Sequence, residues 1–505
     1  MVKTLYDMKK IYNSFILAFC IIAAGCSCAK ATDDNGQTDK KPYVKIDVNQ
    51  KYVSNKAGTF SVTVTSNTDW TAESQADWIS VKPAGGSGNA NVTITYESNY
   101  SDPEGTVDGE ERYGSVMFSA DGIIPARVTL SQGARTFKNP VFMPMPDPYI
   151  WREDNGNGSA VYYPCKSGGN GVNLGETSKL TDWGKTKEVW HLPATSSAWN
   201  RANLWAPELH RVDGKWYIYY AAGWPSSESQ AQGHGNYGTQ RTGVLECTSD
   251  NPYTGTWIDK GMIFTGDADD LEKYKENGNV ATTLDNDYAI DMTVFELDDK
   301  LYAVWSGNDD QGKQRLYIAP MVNPYTIETP RIQLAYPQYS WELETSDLLE
   351  GPAMLFNPDR TKLFCVYSCC QSTTKAYKLG MLELDLTDPS TSDPLIPANW
   401  KKSMNPVFTR CDNYSISNNP YADDAKNELG MKYGGVNGVG HNTFTKSPDG
   451  TEDWIVYHTK RYSESGWDNR DAFIQKFTWD ENGRPVFGKP VGWQEEIEVP
   501  SGEPL

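Results

Sequence analysis

The chain is 505 residues long, enough for more than one domain and a large core. Its 46 Lys and Arg stand against 66 Asp and Glu, a formal net charge of -20, which excludes the basic face that nucleic acid or an anionic membrane surface needs in a partner. Aromatic residues make up 12%, mostly 29 Tyr and 17 Trp; that supply suits stacking on sugar rings, and all-β cores use it too.

The N-terminus reads as a targeting segment and lies outside the fold. Lys9-Lys10 are basic, the stretch from Ile11 to Ile22 is mostly apolar and short for a membrane span, and Ala23-Ala24-Gly25-Cys26 follows. The pattern resembles a bacterial lipoprotein signal over 1–26. The resemblance implies lipidation at Cys26 and an outer-membrane anchor, on the cell surface or the periplasmic face. An ordinary secretory signal is the alternative, and both place the protein outside the cytoplasm. Residues 27–41 are polar and charged and read as a flexible tether. Beyond the signal region, Cys165, Cys247, Cys365, Cys369, Cys370 and Cys411 match no zinc spacing and read as buried small hydrophobes, with a disulfide left open.

Residues 42–135 alternate apolar and polar positions in short runs, such as Phe60-Ser61-Val62-Thr63-Val64 and Val92-Thr93-Ile94-Thr95-Tyr96, separated by Gly, Asn and Asp clusters. That predicts a small Ig-like β-sandwich. Asp69-Trp70, Asp77-Trp78-Ile79, Arg112-Tyr113-Gly114 and Val128-Thr129-Leu130-Ser131-Gln132 together resemble a BACON domain, which implies a spacer in a polysaccharide-degrading protein. Trp70 and Trp78 read as core before they read as a sugar-stacking pair, because a domain this small needs its large aromatics for burial.

From about Asn139 one unit recurs: an apolar stretch, an Asp- or Gly-rich turn, then an aromatic and β-branched strand. Clear copies are Glu208-Leu209-His210-Arg211-Val212-Asp213-Gly214-Lys215-Trp216-Tyr217-Ile218 and Val294-Phe295-Glu296-Leu297-Asp298-Asp299-Lys300-Leu301-Tyr302. Others begin at Pro148, Ala353 and Asn442, and five copies predict an all-β, five-bladed β-propeller over 139–500. Asp147, Asp291 and Glu350 each stand near the start of a copy. Propeller inner strands converge on the axis, so the three acids are expected to share one end of the channel. Crowding them is costly for stability and useful for acid/base chemistry.

Pro146-Asp147-Pro148-Tyr149, Trp205-Ala206-Pro207-Glu208-Leu209-His210, Ile290-Asp291-Met292-Thr293-Val294-Phe295-Glu296, Leu349-Glu350-Gly351-Pro352 and Gly440-His441-Asn442-Thr443-Phe444 are similar to the ordered motifs of glycoside hydrolase family 43. The resemblance implies an inverting enzyme without a required cofactor. In it Asp147 is the general base, Glu350 the general acid, and Asp291 the residue that positions the acid and tunes its pKa. Inversion leaves room for water, so the base and acid carboxyls are expected about 6.5–9.5 Å apart. The motifs look most like exo-acting α-L-arabinofuranosidases that trim plant arabinan or arabinogalactan side chains. A β-xylosidase of the same family, or a carbohydrate-binding propeller without catalysis, is the alternative. Trp205, Trp224 and Trp305 read either as a stacking floor for the sugar or as blade core. His441 reads as an axial hydrogen-bonding residue before a calcium ligand, since calcium prefers oxygen donors. Phe473 stands where relatives often carry Arg, and Arg470 is the nearby cation for sugar contact. The polar stretches Pro225 to Gly243 and Asp412 to Gly435 are expected at the pocket rim.

Overall fold

The structure is a computed structural model that describes residues 41–103, 109–133, 136–156, 158–283, 285–410, 435–461 and 464–504. The signal segment with Cys26, nearly all of the tether, Cys411 and nearly all of the 412–435 stretch lie outside the described residues.

Among the described residues β-strands dominate, with two short α-helices, Ser226–Ala231 and Ala268–Glu276. The first of these sits in the predicted rim stretch. Residues 44–132 form two facing sheets. One orders its strands Val44–Ile46, Gly58–Ser66, Ala90–Tyr96, Ile79–Lys82; the other runs Gln50–Val53, Ala126–Gln132, Arg112–Ser119, Asp69–Ser74, Gly85–Ser87. The period-2 pattern explains the arrangement: Val62, Val64, Val92 and Ile94 turn inward and are fully buried, while the residues between them face outward. Trp70 is core, packed on Phe118 with its Nε1–H donating to the Gly88 carbonyl at 2.8 Å. Trp78 is half-buried beneath the Arg112 guanidinium, 4.3 Å from the ring centre.

Five antiparallel sheets follow in chain order, spanning 149–191, 202–262, 289–335, 349–402 and 436–486. Consecutive strands pair in each, except that Ile332–Ala335 pairs back on Gln314–Asn323 in the third, and short turns join the first strand to the second. Asp213 and Gly214 (φ 49° and 76°) turn the second sheet, and Asp298 and Asp299 (φ 51° and 59°) turn the third. Two successive left-handed residues make the turn whose twist matches that of the flanking strands, and Asp and Gly tolerate it best. The second strand of each sheet is apolar at both parities. In Lys215–Gly223 every residue after Lys215 is buried, as expected of a strand covered on both faces.

Five hydrophobic clusters occupy the gaps between these sheets. One joins the first sheet to the second, and others link second to third, third to fourth and fourth to fifth. The remaining cluster, with Ile150, Tyr162 and Trp183 against Trp454, Val456 and Ile474, joins the fifth sheet back to the first. The result is a closed, propeller-like ring. Its closure is also hydrogen-bonded: Thr136–Lys138 pairs with Glu496–Glu498, and the Asn139 side chain both donates to the Ile474 carbonyl (2.8 Å) and accepts from its N–H (3.0 Å).

Trp305 is corrected by its position. It lies fully enclosed between the second and third sheets against Tyr317, where no sugar ring reaches it, so it is core and not stacking floor. Phe473 is likewise fully buried, against Tyr457 and Trp493. Cys165, Cys247, Cys365, Cys369 and Cys370 are buried free thiols. Emptying the Trp305 site leaves a large cavity in one gap of the ring. Trp305→Ala is expected to lower unfolding free energy by about 3–5 kcal/mol, read from urea denaturation.

Candidate active site

The first strands of the five sheets touch one another in a ring: Tyr149–Asp154, Ala202–Val212, Ala289–Leu297, Leu349–Phe356, Val436–Lys446 and back to the first. Near its start each bears a residue with left-handed backbone: Asp147 (φ 51°), Ala206 (39°), Asp291 (56°), Gly351 (54°) and His441 (45°). In the last four strands pairing with the second strand also slips there, between Trp205 and Glu208, Ile290 and Thr293, Glu350 and Ala353, and Gly440 and Thr443. A slip of this kind bends the strand and re-aims a side chain. Left-handed backbone at a non-glycine residue costs roughly 1–2 kcal/mol, so strain recurs at one level around the ring.

At that level Asp147, Asp291, Glu350 and His441 meet. Asp147 Oδ1 accepts from Arg470 Nη1 at 2.9 Å and lies 3.2 Å from His441 Nδ1. The Asp147 backbone N–H donates to His458 Nδ1 at 3.1 Å, which leaves the proton of that imidazole on Nε2. Asp291 Oδ2 accepts the Gly351 N–H at 3.0 Å, fastening the strand that carries Glu350. The Glu350 carboxyl has Gln314 Nε2 at 3.4 Å and the Tyr377 hydroxyl facing it.

The environments divide the acids. Burial acts to raise the Asp147 pKa, but Arg470 first and then His441 outweigh it and hold the carboxyl well below the usual range. Burial first, with Asp147 and Glu208 adding to it, pushes Asp291 up to about 6 against the opposing pull of His441 and the Gly351 N–H. Burial and then the neighbouring Asp291 charge raise Glu350 to about 7. Burial works to lower the His441 pKa, and the carboxylates around it, Asp147 first, reverse that and raise it. His458, also buried, is pushed down to about 3 and is neutral. One carboxyl is therefore ionised beside the Arg470 guanidinium, while another keeps its proton to neutral pH. Such a pair can pull a proton from one group and deliver one to another.

Of the expected aromatics, Trp205 and Trp224 lie half-buried at the end of the second sheet where its first strand begins, the same end as the acids. Trp205 is edge-on to Tyr237, and the Arg201 guanidinium lies 4.9 Å over Trp224. Arg470 meets Asp147, and the Trp467 carbonyl accepts from its Nε; Trp467 itself is 58% exposed. Sequence reasoning missed the roles of Tyr377, His458 and Gln314, whose contacts join positions far apart in the chain, and of Trp467, which no motif marks.

Below this level a cavity of about 780 Å³ runs inside the ring, lined by Glu208, His210, Thr293, Phe295 and Thr443 and reaching Val212 and Lys446 at the far strand ends. The three acids do not line it. Glu208 Oε2 and His210 Nε2 pair at 2.9 Å within it. His441 turns its Nδ1 to Asp147 at 3.2 Å, the hydrogen-bonding role expected of it. Among the described residues one group of three carboxylates has metal-like spacing, Asp267, Asp270 and Asp287, and Arg331 already pairs with the first and last of them.

The raised Glu350 pKa also sets a stability difference. In the unfolded chain Glu350 loses its proton near the ordinary 4.5, and in the folded protein near 7, so stability held below 4.5 is lost as pH rises through 7. Glu350→Gln is expected to raise the urea midpoint relative to the native chain more at pH 8 than at pH 4, and a gap independent of pH would show that the carboxyl is not perturbed.

Comparison with known proteins agrees with this geometry. The profile of Glycosyl hydrolases family 43 matches residues 137–485, and that of the Viral BACON domain matches 45–132. An extracellular exo-alpha-(1->5)-L-arabinofuranosidase of Streptomyces avermitilis is 30% identical over 365 residues, 70% of this chain and 64% of that protein. Alpha-L-arabinofuranosidase 43 of Humicola insolens is 33% identical over 296 residues, 57% of this chain and 50% of that one. The chain thus spans from half to just under two thirds of the length of these two relatives. The crystal structure of an alpha-L-arabinofuranosidase from Lactobacillus brevis superposes with a TM-score of 0.57 at 31% identity, covering 71% of this chain and 98% of that one. A profile match over most of the chain, seated on the ring that brings the acids together, makes this protein a member of glycoside hydrolase family 43 with a BACON domain ahead of the family domain.

Proposed function

We propose that the protein is an inverting exo-glycoside hydrolase that releases terminal α-L-arabinofuranosyl units from plant arabinan or arabinogalactan side chains. The observation that carries this is the division of protonation between two acids at one end of the ring: Asp147 ionised beside Arg470 and His441, Glu350 protonated by burial and by Asp291. In this reading Asp147 takes a proton from water as its oxygen attacks the anomeric carbon. Glu350 gives its proton to the departing glycosidic oxygen. One C–O bond forms, one breaks, and configuration inverts in a single displacement with no covalent enzyme intermediate. Asp291 keeps Glu350 protonated and holds its strand through the Gly351 N–H.

The alpha-L-arabinofuranosidase names of the relatives above support the sugar, and the half-buried Trp205 and Trp224 offer it apolar faces. The five sheets and the five clusters between them support reading the ring as a five-bladed propeller over 139–500. The two facing sheets support an Ig-like sandwich over 42–135 that serves as a spacer. Cys26 as a lipidated N-terminus would hold the enzyme at the outer membrane, with plant polysaccharide as its partner.

Purified protein lacking residues 1–26 is expected to release arabinose from an aryl α-L-arabinofuranoside. The β-anomer should appear first by proton NMR, and Asp147→Asn should lose at least about a hundredfold in kcat/KM. Xylose release from an aryl β-D-xyloside in place of arabinose would transfer the reading to a β-xylosidase, and first appearance of the α-anomer would refute inversion.

A further inference from the structure

Tyr377 lies outside every motif that marked the site. Its side chain is buried beside three residues of that site. The ring stacks on the His458 imidazole, 5.5 Å between centres and 7° from parallel, and Nδ1 of that imidazole accepts the Asp147 N–H. The phenol hydroxyl faces the Glu350 carboxyl and the Ser368 hydroxyl. Ser368 is paired opposite Glu350 across the first two strands of the fourth sheet, and its Oγ accepts the His441 N–H at 2.8 Å.

The space for this ring is made by a glycine. A Cβ at Gly440 would fall 2.5 Å from Tyr377 Cδ1 and 3.1 Å from Ser368 Oγ, so any side chain there drives the ring out. The Gly-His pair at 440–441 thus does two things: His441 faces Asp147, and the missing side chain before it admits Tyr377.

We propose that Tyr377 is a positioning residue that fixes the Glu350 carboxyl against the side of the pocket supporting Asp147, its hydroxyl on the acid and its ring clamped on His458. The proposal rests on the reading of Glu350 as general acid. Other groups face Glu350 as well. Asp291 and Asp147 oppose its ionisation, and His441 favours it. Tyr288, just ahead of the third sheet, lies near it, and Gln314 reaches it from the third strand of that sheet. Tyr377 differs from Tyr288 and Gln314 in also stacking on His458, the imidazole that accepts the Asp147 N–H. A hydrogen bond from its hydroxyl favours the ionised acid, so it limits how far burial and Asp291 raise the Glu350 proton affinity.

Tyr377→Phe keeps the ring and removes only the hydroxyl. The alkaline limb of kcat/KM is expected to move up by about one pH unit, with the acidic limb unmoved. Carbon-13 NMR of the glutamate carboxyls, assigned with Glu350→Gln, should show the same upward move for Glu350. Gly440→Ala, which displaces the ring, should shift the carboxyl titration in the same direction. Titration of Glu350 at the native pH in Tyr377→Phe overturns the proposal. If the native protein releases no arabinose, the functional reading fails by itself, and the carboxyl titration still decides the role of Tyr377.

Discussion

Two carboxyls, Asp291 and Glu350, are buried within reach of each other and of an ionised third, Asp147, and the arrangement of the ring's upper end follows from that. Burial favours the neutral form of every one of them, and like charges add to the penalty. The structure meets this by bringing its positive partners closest to Asp147. Arg470 and His441 both converge on Asp147, while the contacts of Glu350 are the neutral Gln314 and Tyr377. Stronger charge compensation at Asp147 than at Glu350, which His441 also reaches, is what separates their protonation. The same contrast makes the pocket a poor element of stability, which the rest of the molecule has to carry.

The ring carries it through packing. Each gap between sheets is filled by its own apolar cluster, and the gap between last and first is filled like the others, with the Asn139 amide and the pairing of Thr136–Lys138 with Glu496–Glu498 sewing the chain ends together. A closed ring of this kind can hold left-handed backbone at Asp147, Ala206, Asp291 and His441 because neighbouring strands on both sides over-determine it. At Asp291 and His441 the slip in pairing and the left-handed residue coincide, whereas Asp147 stands ahead of its strand and Glu350 precedes the left-handed Gly351.

Much of this is legible in the order of the amino acids. Asp-Gly and Asp-Asp between apolar runs mark the first hairpins of the second and third sheets because few other residues accept two successive left-handed conformations. Asp147, Asp291 and Glu350 stand out because acids at the ends of apolar runs are rarely placed for stability. The fate of individual tryptophans is not legible: Trp305 is enclosed while Trp205 and Trp224 are partly open, and which face of a strand looks into a gap or toward the rim depends on the neighbouring sheet. Nor is the support of Asp147 legible. Arg470 and His458 reach it from more than 300 positions away, the cation coming from the loop and not from position 473, whose Phe is committed to the core.

The central claim is that the charge of Asp291, together with burial, keeps Glu350 protonated near neutral pH. It is tested most directly by the pH dependence of kcat/KM for Asp291→Asn on an aryl α-L-arabinofuranoside. Asn still accepts the Gly351 N–H through its side-chain oxygen but carries no charge, so the strand stays fastened while the like-charge term disappears. The account predicts that the alkaline limb moves below its native position near 7 toward the ordinary glutamate value. An alkaline limb that stays where it is, with activity otherwise retained, would contradict it.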